Sequence, residues 1–138
     1  MKLTPENKKI ILEEFEFAIQ KMKENKEPEQ KLFYFSSTYG VISRIFNSKF
    51  DPQLAFIHMI LNTVYINASA RIIAFKGGDK TIKLPDDYFD KLAQITEELY
   101  AKLKNDENSY EILEKFALLT FLTTGNGYYL YERGFFNI

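Results

Sequence analysis

The chain has 138 residues, of which 46% are hydrophobic and 27% charged, and its formal net charge at pH 7 is −1. A chain of this length can bury about two thirds of its unfolded surface, so we expect a single domain over residues 1–138. The balanced charge disfavours nonspecific binding to nucleic acid or to an anionic membrane, and the absence of cysteine excludes disulfides, thiolate catalysis and cysteine–zinc sites. The N-terminus shows no apolar signal segment, so we expect a cytoplasmic location.

The first two predicted helices are separated by a polar break at residues 23–27. Thr4 is suited to be the N-cap of the first helix, whose apolar residues recur at helical spacing. Pro28 opens the second helix, which we expect to end near Asn47. Gly40 lies inside the second helix, where glycine costs about 1 kcal/mol relative to alanine, so we expect a feature of the position, such as a close neighbour, to compensate for it.

The third predicted helix runs from Pro52 to Lys76 and has almost no charge. Asp51 is suited to cap its start, and the pair Gly77-Gly78 is suited to end it. Because apolar residues surround most of its circumference, we expect other helices to enclose it. The sequence therefore predicts an all-α fold, an up-and-down antiparallel bundle of four to five main helices around this long apolar central helix.

Two further helices follow a turn-rich connection that we expect to hold a brief extended piece at residues 81–84. An apolar stripe from Tyr88 to Leu103 predicts the fourth helix. Asn108 and Glu111 have the spacing of a capping box for the fifth helix, which we expect Gly125 to end.

A short aromatic segment closes the chain. It carries more aromatic surface than so short a segment can bury within itself, so we expect it to pack on its own bundle or to form a homodimer contact. The residues concerned are Tyr128, Tyr129, Tyr131, Phe135 and Phe136.

A polar stripe interrupts the apolar third helix. His58, the only histidine, shares one helical face with Asn62, Tyr65 and Ser69. If the second and third helices pair antiparallel, His58 lies level with Tyr39. These side chains either line a pocket or satisfy one another in a packing contact, and the second arrangement is the usual one for buried polar groups.

Two arginines also lie in apolar stretches, Arg44 on the second helix and Arg71 on the third. Such an arginine must pair with an acid, reach solvent along its stem, or hold an anionic ligand with its planar guanidinium. The first two arrangements are the more common ones.

We expect no metal and no cofactor. A di-iron bundle needs inward-facing glutamates with Glu-x-x-His pairs, whereas Ala55 stands three residues before His58. The acidic pairs Glu13/Glu16 and Asp87/Asp90 have the spacing that holds magnesium in helical nucleotide pyrophosphohydrolases. Both pairs lie on charged faces near helix starts, where solvent exposure and the helix dipole account for them.

The segment from Ser36 to Ile42, followed by Phe50-Asp51-Pro52 and by His58 in the apolar helix, resembles a small family of uncharacterised archaeal helical-bundle proteins. The resemblance covers only part of the chain. It implies an all-helical fold and an archaeal source, and it implies no activity and no residue role.

Three hypotheses of function remain, and the weakest is a magnesium-dependent nucleotide hydrolase that would use the acidic pairs. The first is a protein that acts by homo-oligomerisation, as a homodimer, or by binding a partner, through the aromatic segment or the exposed side of the third helix. The alternative is a small-molecule binding protein or enzyme. It would hold an anionic ligand between the second and third helices. Its site residues would be His58, Asn62, Tyr39, Arg71 and Arg44. The sequence favours a non-enzymatic protein without deciding the question.

Overall fold

The computed structural model describes residues 3–138, which form six α-helices and, within that range, no β-strand. The helices are α1 (Pro5–Glu24), α2 (Pro28–Phe46), α3 (Pro52–Lys76), α4 (Tyr88–Lys104), α5 (Tyr110–Phe121) and α6 (Gly125–Glu132). The predicted all-α helical bundle is confirmed. None of the helices in the described range combines the length and the apolar character needed to cross a membrane.

Local sequence signals set the starts of α1 and α3 and the end of α3. The Thr4 side chain accepts a hydrogen bond from the backbone N–H of Asn7 at 3.1 Å, and Asp51 accepts one from the backbone N–H of Leu54 at 3.0 Å. Both bonds satisfy donors that a helix start leaves free, so the two predicted N-caps are confirmed. Gly78 has a φ of 104° directly after α3, a conformation that favours glycine and stops the helix there.

The helices alternate in direction along the chain. An ion pair from Lys8 to Asp106 joins the start of α1 to the turn that follows α4, and one from Lys23 to Glu97 joins the end of α1 to the middle of α4. These two helices are therefore antiparallel. α2 packs against α1, α3 and α4, and α4 packs against α1, α2 and α5. α3 packs against α2 and α5, because the connection over residues 77–87 carries the chain across the end of the bundle before α4 begins.

The core lies between α1, α2, α4 and α5 and the inner face of α3. Phe15, Phe35, Leu54, Leu99 and Phe116 are completely buried there. The rings of Phe35 and Phe116 pack with their centroids 6.2 Å apart. Burial of such side chains supplies the main driving force for folding.

Polar groups within this core are satisfied by the protein itself. The buried Lys31 donates from Nζ to the carbonyl of Met22 at 2.6 Å. The Tyr88 hydroxyl donates to the carbonyl of Leu119 at 3.3 Å, and burial raises the pKa of Tyr88 well above its ordinary value. The core therefore holds structural polar groups that have their partners.

The central position expected for the apolar helix is not confirmed. The buried residues of α3 (Leu54, Ile57, Leu61, Val64 and Ala68) form one face, which meets α2 and α5. The opposite face of α3 carries large apolar side chains that are open to solvent. Apolar residues around the whole circumference therefore do not mean that the chain encloses this helix on all sides.

Three predicted details differ in the second half of the chain. α5 begins at Tyr110 after Ser109, and Asn108 accepts a hydrogen bond from the Tyr110 backbone N–H at 2.8 Å, so the capping box is not formed. Gly125 does not end α5 but begins α6, whose N-cap is Thr124. The piece at residues 81–84 is irregular and not extended strand.

Two helical glycines have opposite surroundings. A Cβ added at Gly40 would meet no atom within 4 Å, so a close neighbour, the example given for the compensating feature, is absent. A Cβ added at Gly127 would lie 1.9 Å from the carbonyl oxygen of Phe121, which is backbone and has little room to move. Glycine is therefore required at position 127, where α6 starts against the end of α5.

Candidate functional site

The predicted polar stripe of α3 meets α2 in a small cluster, the His58 cluster, made of Tyr39, Ser43, Phe46, His58 and Tyr65. The ring centroids of Tyr39 and His58 are 5.6 Å apart, and those of Tyr39 and Tyr65 are 5.9 Å apart, both in edge-to-face contact. The Phe46 ring lies 6.1 Å from that of His58. The expectation that antiparallel pairing puts His58 level with Tyr39 is thus confirmed.

The chemistry of the His58 cluster is that of a hydrogen-bonded packing contact. His58 Nε2 lies 2.7 Å from Ser43 Oγ, and no acidic side chain of residues 3–138 forms an ion pair with His58. A nucleophile–base pair normally needs such a third group to orient the base. Burial, followed by the nearby Tyr65, raises the pKa of Tyr39, so its hydroxyl stays protonated at neutral pH.

The remaining predicted ligand residues do not join this cluster. Asn62 lies half-buried on α3, one turn beyond His58. Arg44 is exposed near the end of α2. Arg71 is thirteen positions beyond His58, roughly 20 Å along the helix axis. A single small ligand cannot touch both His58 and Arg71, so the structure divides the predicted set between separate places.

Arg71 ties α3 to the connection that follows it. Its Nη2 donates to the carbonyl of Ile82 at 3.2 Å and lies 3.4 Å from a carboxylate oxygen of Asp79. Its Nε is buried without a hydrogen-bond partner in the described structure. The pKa of Asp79 is lowered, first by hydrogen bonds from the Thr81 side chain and backbone and then by Arg71. Arg71 therefore has a structural role, and its buried Nε–H is left without an acceptor.

A surface cavity of about 420 Å³ lies beside Arg71. Its charged lining is balanced, because three basic and three acidic side chains take part: Arg71, Lys76, Lys83, Glu27, Glu29 and Asp86. One of these acids, Glu29, already pairs with Lys76. The cavity therefore has no net positive charge to attract an anion.

The most distinctive surface lies on the outer face of α3. We call it the α3 stripe, made of Phe56, Met59, Thr63, Ile66, Ala70 and Ile73. Phe56 is 41% exposed, Met59 54%, Ile66 55% and Ile73 69%. Large side chains of this type are normally buried, and they lie here in one continuous row on a single helix.

The spacing of the α3 stripe is that of a coiled-coil seam. Its members follow one another at intervals of 3, 4, 3, 4 and 3 residues, as a and d positions of a heptad do. No Asp, Glu, Lys or Arg occurs from Pro52 to Ala70. Thr63 fits this apolar row, because its hydroxyl donates to the carbonyl of Met59 at 2.8 Å and needs no other partner.

The exposed apolar area of this stripe is large for a chain of this size. With about 200 Å² for a large apolar side chain, the exposed fractions of Phe56, Met59, Ile66 and Ile73 leave roughly 440 Å². A typical interface buries about 800 Å² per partner, of which about 60% is apolar. The α3 stripe alone therefore supplies nearly the whole apolar part of a standard interface.

The aromatic C-terminal segment contacts its own bundle. Tyr128, Tyr131 and Phe136 are partly buried against the core, and Phe136 packs 6.0 Å from the ring of Phe121. Phe135, at 73% exposed, is the more open member. Three of the five aromatic residues of this segment thus pack on their own bundle, as the first of the two expectations stated. Tyr129 and Phe135 stay open to solvent.

The acidic pairs are engaged in ordinary contacts. Glu16 accepts a hydrogen bond from the Tyr100 hydroxyl, Glu13 lies 3.9 Å from Lys9, and Asp90 lies 3.5 Å from Lys31. Within residues 3–138, no group of three or more histidine and acidic side chains is arranged to hold a metal ion.

Comparison with protein-family models finds no match. Comparisons with curated proteins and with solved structures find none either. The resemblance to an archaeal helical family therefore stays a prediction. Fold and surface define the class of protein as an all-α bundle in which α3 has an uncovered apolar face.

Proposed function

We propose that the protein acts by self-association, as a homodimer joined through the α3 stripe. The observation that carries the proposal is the charge-free, heptad-spaced row of exposed apolar side chains. A helix that is apolar around most of its circumference is stable in water only when each side is covered. α2 and α5 cover two sides of α3, and a second copy covers the third.

A second copy fits this face better than a small ligand does. The α3 stripe extends over eighteen residues, about 26 Å of helix, whereas the cavities that its two ends border, beside Phe56 and beside Ile73, are open surface clefts of about 530 Å³ each. A helix of matching spacing buries such a row by inserting its side chains between those of its partner. The chain always has this complementary helix available, namely its own α3 in another copy.

The composition supports the setting of this proposal. A net charge of −1 and an α3 stripe without basic residues provide no surface for nucleic acid. The absence of cysteine fits a reducing compartment. We place the homodimer in the cytoplasm on this basis.

The test is a matched pair of charge substitutions. Ile66→Glu places a carboxylate in the middle of the α3 stripe. Ile10→Glu places one on α1, where Ile10 is 47% exposed, close to the 55% of Ile66. Size-exclusion chromatography with light scattering should give a dimer for the unmodified chain and for Ile10→Glu, and a monomer for Ile66→Glu. If Ile66→Glu elutes as a dimer of unchanged mass, the α3 stripe is not the interface.

A second candidate function is the binding of a small anion in the cavity beside Arg71. The buried Nε without a partner is the observation that favours it, because a carboxylate or phosphate could accept from it. The balanced charge of the cavity lining weighs against it.

Thermal melting with added inorganic phosphate or acetate tests this candidate. A bound anion should raise the melting temperature of the unmodified chain and of Arg44→Gln, whose arginine is exposed elsewhere, but not that of Arg71→Gln. Equal shifts in all three proteins, or none, would remove the candidate.

A further inference from the structure

We infer that the two copies pair through α3 in the antiparallel direction, with the two-fold axis between Thr63 and Ile66; this inference rests on the proposed self-association. The α3 stripe is symmetric about that point. The two residues of each pair, 56 and 73, 59 and 70, and 63 and 66, lie at equal distances on either side of it. An antiparallel pair therefore puts every stripe residue opposite another stripe residue. Phe56 meets the partner's Ile73, Met59 meets the partner's Ala70, and Thr63 meets the partner's Ile66.

The side-chain sizes favour this direction. In the antiparallel pair the long Met59 fills the space above the partner's small Ala70, so the layers differ less in total volume than they would in a parallel pair. In a parallel pair Ala70 would face the partner's Ala70 and Phe56 the partner's Phe56, which leaves a gap in one layer and crowding in another. Interiors are close-packed, and both gaps and overpacking are destabilising.

The helix ends favour the same direction. Asp51 lies at the start of α3 and Lys76 at its end. The antiparallel pair brings Asp51 close to the level of the partner's Lys76. It also places the positive N-terminal end of each helix dipole beside the negative C-terminal end of the other. The parallel pair would bring the two Lys76 side chains together. The arrangement is a two-fold, closed contact that uses the same surface on both copies, so it ends at a dimer.

The residues beside the seam are compatible with a close approach. Asn62 and Ser69 border the α3 stripe on the side of α2, and Ile60 and Asn67 border it on the other side. None of the four is charged, so no like charges are forced together. Asn67 is already bonded through its Nδ2 to the carbonyl of Thr63 at 2.8 Å.

Single-cysteine cross-linking tests the direction, because the natural chain contains no cysteine. Met59→Cys and Ala70→Cys are made separately, one with an affinity tag that changes its mass. Both positions are exposed, so the fold should tolerate the changes. The equimolar mixture is oxidised and the products are counted by mass spectrometry.

The antiparallel pair predicts that the mixed cross-link, Cys at position 59 to Cys at position 70, exceeds either like-with-like cross-link at least tenfold. Two position-59 sites in that pair are about 16 Å apart along the axis, too far for a disulfide, which needs Cα atoms within about 7 Å. A parallel pair predicts the reverse, with like-with-like products in excess. Glu13→Cys, exposed on α1, is the control for random collision.

Sedimentation of the same variants without oxidant separates the possible failures. If the unmodified chain and both variants are monomers, the proposed self-association itself is refuted. If they are dimers that give mainly like-with-like products, self-association stands and the antiparallel direction is refuted. If they are dimers whose cross-linking equals that of the Glu13→Cys control, the interface lies elsewhere and the inference is overturned.

Discussion

Truncation of Ile66 to alanine tests the energetics of the α3 stripe. The change removes three carbon atoms, worth about 2.4 kcal/mol when fully buried. Ile66 is 55% exposed in one copy, so the interface accounts for about half of this, roughly 1.3 kcal/mol per copy. A symmetric dimer contains the change twice, which gives about 2.5 kcal/mol, or a roughly 70-fold weaker dimer.

The matched control for this prediction is Ile10→Ala. Ile10 is 47% exposed on α1, so its truncation should lower the stability of the single copy by a similar amount, about 1 kcal/mol, without weakening the dimer. Sedimentation equilibrium measures the dimer dissociation constant, and urea unfolding at low protein concentration measures the stability of one copy. Equal dissociation constants for the two variants would show that Ile66 does not lie in the dimer interface.

Three further predictions concern the fold. Gly40→Ala should raise the free energy of unfolding by about 0.5–1 kcal/mol, because a Cβ there meets no atom within 4 Å and alanine favours the helix; a lower melting temperature would contradict this. Gly127→Ala should instead lower the free energy of unfolding by about 1–3 kcal/mol, because its Cβ would overlap the Phe121 carbonyl, and calorimetry should show the opposite shift in melting temperature. Asp79 has a pKa below its ordinary value of 3.8, so its contribution to stability is complete above that pH and is lost as the pH falls through the lower folded-state pKa. The unmodified chain should therefore lose more stability than Asp79→Asn between pH 5 and about pH 2 in thermal melts, and equal losses would count against the contacts of Asp79.

Local features of this fold were predictable because they depend on neighbours in sequence. Thr4 and Asp51 cap helices through backbone groups three residues away, and the paired glycines after α3 end it through their own conformational freedom. Gly125 was assigned to the wrong side of a boundary. A glycine near a helix end is compatible with a stop or a start, and the Thr124 cap decides for a start.

The covering of α3 could not be predicted in the same way. Ile66 and Leu61 are alike in the sequence pattern, yet Leu61 is completely buried and Ile66 is half-exposed. Periodicity tells which residues share a face, but not which face meets the rest of the chain. That is decided by the connection over residues 77–87, which takes α4 to the far side of the bundle and away from α3.

The candidate sites show the same division. The contact of His58 with Tyr39 follows from antiparallel pairing of consecutive helices and was predictable, whereas the bond from His58 to Ser43 was missed. Arg71 binds the carbonyl of Ile82, which depends on the path of an irregular segment. The heptad spacing of the α3 stripe was present in the sequence, and only the structure shows that this row faces solvent.

Sedimentation equilibrium of the unmodified chain tests the central claim most directly. The mass of one copy is 16.2 kDa. The account predicts that the weight-average mass rises to twice that value as the protein concentration increases, and that it stops there because a two-fold contact is closed. A mass that stays at 16.2 kDa at every concentration up to about 100 μM, a free energy of association weaker than roughly 5.5 kcal/mol, would contradict the proposal that the α3 stripe joins two copies.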